Sequence, residues 1–162
     1  MPATLVEDVE HLYKTLVRLD PGEPLLLTLW NFHTYMFPTF EVTPYLWLHS
    51  PLRGWGKSNT GKLIAALSFN GSFNIAPTKA AIFREISAHS PTYIMDEADE
   101  LFKDYEIRSM FKVGYKQGGH VTRAHKDGIV KYLRPARVRL ATPSIPSPTR
   151  NTPSTRNAVY GH

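Results

Sequence analysis

The segment Tyr45-Leu-Trp-Leu-His-Ser-Pro-Leu-Arg-Gly-Trp-Gly-Lys-Ser58 restricts the fold more than any other stretch of the chain. A short apolar run stops at a loop holding Gly54 and Gly56. Lys57 and Ser58 follow, and the next residues read as a helix. This is the form of a phosphate-binding loop. The glycines let the backbone turn its N–H groups inward, and the helix N-terminus adds partial positive charge. Gly54, Trp55, Gly56, Lys57, Ser58 and Asn59 are the residues expected to cradle a nucleotide. Among them Lys57 reaches the β- and γ-phosphates and Ser58 offers a hydroxyl to Mg²⁺. The full pattern asks for glycine where this chain has Pro51, so an ordinary glycine turn is the competing reading.

A second signal stands downstream. Pro91-Thr-Tyr-Ile-Met-Asp96-Glu97 is another short apolar run, and it ends in two adjacent carboxylates. A buried parallel strand ending in Asp96 would hold the Mg²⁺ that Ser58 also touches. Glu97 points away from Asp96 and suits the polarisation of an attacking water. The plainer alternative is a strand end followed by an acidic helix start, since Ala98-Asp99-Glu100 continues the acidity and carboxylates favour helix N-termini.

The 162 residues predict one domain with a real core. There is no cysteine, which excludes a disulfide scaffold and a cysteine zinc site. A formal charge of +5 modestly favours a polyanionic partner. The start lacks the basic region of a signal peptide, and the chain reads as a soluble cytoplasmic protein with no membrane contact.

In chain order, Leu5, Val6, Val9, Leu12, Tyr13, Leu16 and Val17 recur at helical spacing, with Thr4 and Glu7 suited to a capping box. Asp20-Pro-Gly-Glu-Pro24 breaks that helix. Residues 25–37 are apolar almost all round, interrupted by Thr28, Asn31, His33 and Thr34, and predict a buried helix ended by Pro38. At about 13 residues it is far short of the ~20 a bilayer needs. Asn31 and His33 read as satisfied core polar groups. A strand over 45–49, a helix over 57–69, a strand over 73–76, a helix capped by Thr78 and the Asp-Glu strand then alternate as βαβ units do. A helix is expected over 98–115. Residues 120–133 alternate on both sides of Asp127-Gly128, a hairpin signal, and carry Arg123, His125, Lys126 and Lys131. These basic residues are candidates for single-stranded DNA, against the plainer reading of a solvated hairpin.

From Leu16 to Lys131 the chain resembles the P-loop ATPase domain of phage- and plasmid-borne primase–helicase-like proteins of mobile elements. The resemblance rests on Leu29-Trp30-Asn-Phe-His33-Thr34, on Thr43-Pro44-Tyr45-Leu46 leading to Ser50-Pro51 and Gly54-x-Gly56-Lys57-Ser58, on Ala80-Ala81-Ile82-Phe83-Arg84, on Ile94-Met-Asp96-Glu97-Ala98-Asp99, and on Gly118-Gly119-x-Val121-x-Arg123. Such relatives commonly carry Ser-Pro at the first-glycine place, which accounts for Pro51. The resemblance implies Mg²⁺-dependent ATP hydrolysis in DNA replication or mobile-element biology, often in a homo-oligomeric ring with an arginine supplied in trans.

The end departs from that pattern. A Phe-Gly-Pro-Lys/Arg strand, a polar sensor and an arginine are expected, and Tyr132-Leu-Arg-Pro-Ala-Arg-Val-Arg-Leu-Ala-Thr142 stands there instead. Codons for this stretch read one nucleotide later can spell Ile-Phe-Gly-Pro-Arg-Val-Phe, so a truncated or frame-shifted end after about Lys131 is one expectation. If the tail is native, Val138 to Ala141 supply the last core strand, with Thr142 or Ser144 as sensor. Residues 143–162, rich in Pro, Ser, Thr and Arg, read as a disordered tail. Arg150 and Arg156 lie in it.

The sequence therefore predicts an α/β P-loop NTPase, a three-layer sandwich around a mostly parallel sheet. Residues 1–40 form an N-terminal helical part, 41–142 the core and 143–162 the tail. ATP and Mg²⁺ are the expected cofactors, with Lys57 and Glu97 catalytic and Ser58 and Asp96 on the metal. Two rival readings are a non-catalytic nucleic-acid-binding fragment and a nucleotide-dependent phosphotransferase.

Overall fold

Strand β3 (Thr92–Asp96) is buried along its whole length, and its alternating side chains divide the hydrophobic interior in two. In the computed structural model, residues 2–49, 56–98, 100–116, 120–125, 128–133, 138–142 and 158–161 are described. Successive strand side chains point to opposite faces. Ile94 thus joins Leu46 and Leu48 of β1 (Leu46–His49) and Ile64 and Ala65 of α3 (Lys57–Leu67). Tyr13 of α1 (Pro2–Leu16) and Leu27 and Trp30 of α2 (Glu23–Tyr35) complete that cluster. On the other face Tyr93 and Met95 pack with Ile82, Phe83 and Ile86 of α4 (Lys79–His89) and with Ile107 and Met110 of α5 (Tyr105–Gly114). Each such aliphatic side chain contributes about 2 kcal/mol over leaving it in water. A sheet apolar on both faces requires helices on both, and the chain supplies them.

The larger sheet runs β2-β3-β6-β1-β7, where β2 is Gly71–Ile75, β6 is Val138–Thr142 and β7 is Ala158–Gly161. β2, β3, β6 and β1 are mutually parallel, and β7 lies antiparallel on β1. A separate hairpin joins β4 (His120–His125) to β5 (Gly128–Leu133). β4 lies against α5 and β5 against α4. The fold is therefore mixed α/β with a mostly parallel sheet, as expected. No helix among the described residues is long and apolar enough to cross a membrane.

Close approach of α3 to the sheet depends on two glycines. A Cβ on Gly61 would meet the Phe73 ring at 2.8 Å, and one on Gly71 would lie 1.9 Å from the Ala65 carbonyl oxygen. No side chain fits at Gly71 without moving backbone.

Several expected boundaries need correction. α1 begins at Pro2, so Thr4 lies inside the helix and is not its cap; proline is well suited to the first helical position. α2 ends at Tyr35, and a 3₁₀ turn over Phe37–Thr39 takes in Pro38. Nor is α2 buried all round: Leu25, Leu26 and Leu29 are exposed, while Thr28, Asn31 and Thr34 are buried. The helix expected over 98–115 is split. A 3₁₀ turn covers Leu101–Lys103, and Asp104, extended at φ −74° and ψ 129°, starts α5 afresh. Its carboxylate accepts from the Glu106 and Ile107 amides at 2.8 and 3.3 Å, the bonding of an N-cap. In the hairpin His125 pairs with Gly128, so Gly128 belongs to β5 and not to the turn that Asp127-Gly128 signals.

Candidate functional site

The carboxyl ends of parallel strands are where open α/β sheets place their ligands, because the chain leaves each strand there toward a helix N-terminus. At that edge Gly56 takes the left-handed conformation, φ 85°, and caps α3. Left-handed backbone carries no steric penalty in glycine. The Gly56 carbonyl accepts from the Thr60 amide at 2.8 Å and the Thr60 hydroxyl at 3.1 Å. The first turn of the helix is thereby closed on the glycine. Lys57 and Ser58 are its first two residues, and both are partly buried.

Ser58 and Asp96, 38 residues apart in sequence, meet here. The Ser58 hydroxyl donates to Asp96 Oδ2 at 2.5 Å. The second oxygen of that carboxylate, Oδ1, accepts from the Glu97 amide at 3.0 Å. Asp96 is 7% exposed, so its charge is removed from water and held by directed donors. The strand stops at this point for a visible reason. Glu97 turns left-handed, φ 57°, as does its neighbour across the sheet, Ala76, φ 44°, whose amide donates to the Asp96 carbonyl at 3.0 Å. A non-glycine residue in this region costs of order 1 kcal/mol, and such residues cluster where a site fixes the backbone. The bend leaves the Glu97 side chain exposed while Asp96 stays buried.

Ser58 and Asp96 supply hard oxygen donors side by side, a set that suits Mg²⁺, which binds through few protein oxygens and completes its shell with phosphate and water. No group of three or more His, Cys, Asp and Glu that could hold a metal occurs among the described residues. The remaining candidates divide. Asn59 follows Ser58 on the exposed side of the first turn. Gly54, Trp55 and Asp99 lie outside the described residues, as do Lys126, Ser144, Arg150 and Arg156. Thr142 ends β6 directly across from Asp96, so the sheet brings its backbone to the same edge. Arg123 and Lys131 sit on adjacent rungs of the hairpin, Arg123 opposite Val130 and Lys131 opposite Thr122, with His125 beside the turn.

Thr60 and Ala76 are parts of this geometry that the sequence reading omits. A hydroxyl four residues after a glycine cap is a recognisable signal for the first. Nothing local marks the second, because its role depends on strand pairing.

α4 and α5 also begin near this edge, and their starts are tied together. Lys79 Nζ reaches Asp104 Oδ2 at 2.8 Å and Glu106 Oε2 at 3.4 Å. The hydrogen bond that Lys79 donates to Asp104 raises the Lys79 pKa above its ordinary value and lowers that of Asp104.

No protein-family model, curated protein or solved structure matches the chain.

Proposed function

We propose that the chain is a P-loop NTPase domain that binds Mg²⁺·ATP at the carboxyl edge of the sheet and hydrolyses it, in the helicase-like setting of DNA replication or mobile elements. The observation that carries this reading is the Ser58–Asp96 hydrogen bond, which joins the glycine-capped helix start to the acidic strand end. The strand order supports it too. The strand before the loop and the strand ending in Asp-Glu flank β6, and helices cover both faces of the sheet, as a three-layer sandwich requires.

On this reading the amides of residues 54–58 and the Lys57 ammonium hold the phosphates, and Ser58 and Asp96 hold the metal. Bound Mg²⁺ supplies charge neutralisation at the β- and γ-phosphate oxygens. Glu97, exposed beside the buried Asp96, orients a water in line with the γ-phosphorus and accepts its proton. The new P–O bond forms as the bond from the γ-phosphorus to the bridging oxygen breaks, leaving ADP and phosphate. Thr142, whose backbone pairs with Asp96, or Ser144 is the proposed sensor of the γ-phosphate. Single-stranded DNA is the proposed partner of the hairpin carrying Arg123, His125, Lys126 and Lys131, and a homo-oligomeric ring is the proposed assembly.

The test is ATP binding and hydrolysis with and without single-stranded DNA. Lys57→Ala is expected to abolish nucleotide binding. Glu97→Gln is expected to keep binding and stop hydrolysis, and unchanged turnover in that variant removes Glu97 from the role of base.

A further inference from the structure

α5 is strongly two-sided. Ile107, Met110 and Gly114 are buried, while Tyr105, Arg108 and Lys112 face solvent. Tyr115, still in right-handed helical backbone, and Lys116 continue the exposed side. At about 100° per residue, Tyr105, Arg108, Lys112, Tyr115 and Lys116 fall within a stripe of roughly 100°. No carboxylate lies in that stripe. The nearby Asp104 and Glu106 are paired with Lys79. Arg108 and Lys112 have no ion pair among the described residues.

A solvated helix face is commonly basic, but it does not commonly present a tyrosine 75% exposed, as Tyr105 is. A large exposed ring flanked by unpaired cations has a chemistry of its own: the ring stacks on a base and the cations meet phosphates. At the other end of the stripe Lys116 Nζ lies 5.6 Å from the Tyr115 ring centroid, so ring and cation already stand together there. Tyr105 and Tyr115 are ~15 Å apart along the axis at ~1.5 Å per residue. That is the length of about four stacked nucleotides at ~3.4 Å each. β4 of the basic hairpin lies against the same helix.

We propose that the outer face of α5 binds single-stranded nucleic acid, with Tyr105 and Tyr115 stacking on bases and Arg108, Lys112 and Lys116 contacting the backbone. This surface is distinct from the nucleotide site and stands without it. It extends the nucleic-acid partner of the proposed function from the hairpin to a helix that reading did not use.

The test is binding of the full chain, without ATP, to a labelled oligothymidine of about 20 nucleotides, longer than the ~4–16 nucleotides a small domain covers. Arg108→Glu with Lys112→Glu is expected to weaken binding at least tenfold. Reading the salt dependence of Arg108→Ala with Lys112→Ala should give a log–log slope shallower by about 1.4, two single-strand phosphate contacts. Tyr105→Ala is expected to lose about tenfold. All these side chains are exposed, so thermal melting should be unchanged. Basal ATP hydrolysis without DNA should also be unchanged, which separates failure of this surface from failure of the nucleotide site. Wild-type affinity in the double charge reversal overturns the proposal. Competition by polyglutamate as effective as by unlabelled oligothymidine also overturns it, in favour of an acidic protein partner. Wild-type affinity in Tyr105→Ala overturns the assignment to single strands.

Discussion

α2 and α5 are helices of similar length that cover opposite faces of one sheet, and they are built on opposite terms. α5 buries Ile107 and Met110 and turns its polar side outward, so its packing follows amphipathicity. α2 buries Leu27 and Trp30 but also Thr28, Asn31 and Thr34, while Leu29 is 52% exposed. The buried side chains of Thr28, Asn31 and Thr34 are each hydrogen-bonded. Thr28 donates to the Pro24 carbonyl, Tyr13 donates to Asn31 Oδ1, and Asn31 Nδ2 reaches the Ile64 carbonyl at 3.1 Å and Ser68 Oγ at 2.8 Å. Thr34 donates to the Asn31 carbonyl and accepts from the Phe69 amide. α2 is thus hydrogen-bonded to the last turn of the helix that begins with Lys57 and Ser58, whereas the fully buried side chains of α5 are apolar and its directed bonds to other elements are made by Asp104, Glu106 and the Phe111 carbonyl. Directed bonds set one register, and apolar packing tolerates several.

The contrast can be broken from either side. The largest effect is expected for Met110→Ala on α5, a loss of about 3 kcal/mol from transfer and cavity together, read by urea denaturation. A loss below about 1 kcal/mol would mean that α5 is not held by its core. Next comes Asn31→Leu. If burial of apolar surface governed α2, this change would stabilise; the hydrogen-bond account expects a loss of about 2 kcal/mol, because the Tyr13 hydroxyl and Ser68 lose their buried partner. Adding Tyr13→Phe should then recover part of that loss, giving a coupling of about 1 kcal/mol in the double-mutant cycle. The smallest effect belongs to Leu29→Ser, within about 0.5 kcal/mol of wild type, since Leu29 is 52% exposed and lies outside both core clusters. A large loss there would place Leu29 in a contact the fold as described lacks.

These two helices also mark where sequence reading succeeds and fails. The chemistry-bearing motifs were legible because each is local: Gly56-Lys57-Ser58 announces a helix start, and a hydrophobic run ending in Asp96-Glu97 announces a strand end. The Thr78 cap was legible for the same reason, its hydroxyl accepting from the Ala81 amide. The inner face of α5 was legible from the spacing of Ile107 and Met110, but its start was not, since Asp104 within an acidic run looks like more helix. On α2 the leucines mislead, because only the position of α3 decides that Asn31 faces inward. Strand order is equally non-local. On the reading that the tail is native, Val138 to Ala141 supply the last core strand, and they lie within β6. Their insertion between β1 and β3 depends on pairings with Leu46 and Ile94 that no pattern within the strand encodes. Nor does the composition of 143–162 anticipate β7.

The meeting of Ser58 and Asp96 is the claim on which the functional reading depends, and the most direct measurement is Mg²⁺-dependent ATP binding in a double-mutant cycle of Ser58→Ala and Asp96→Asn. Two groups that share one metal should be strongly non-additive: either change alone removes most of the Mg²⁺ dependence, and the second adds little. ATP affinity that is the same with Mg²⁺ and with chelator in the wild type, or losses from the two changes that simply add, would contradict it.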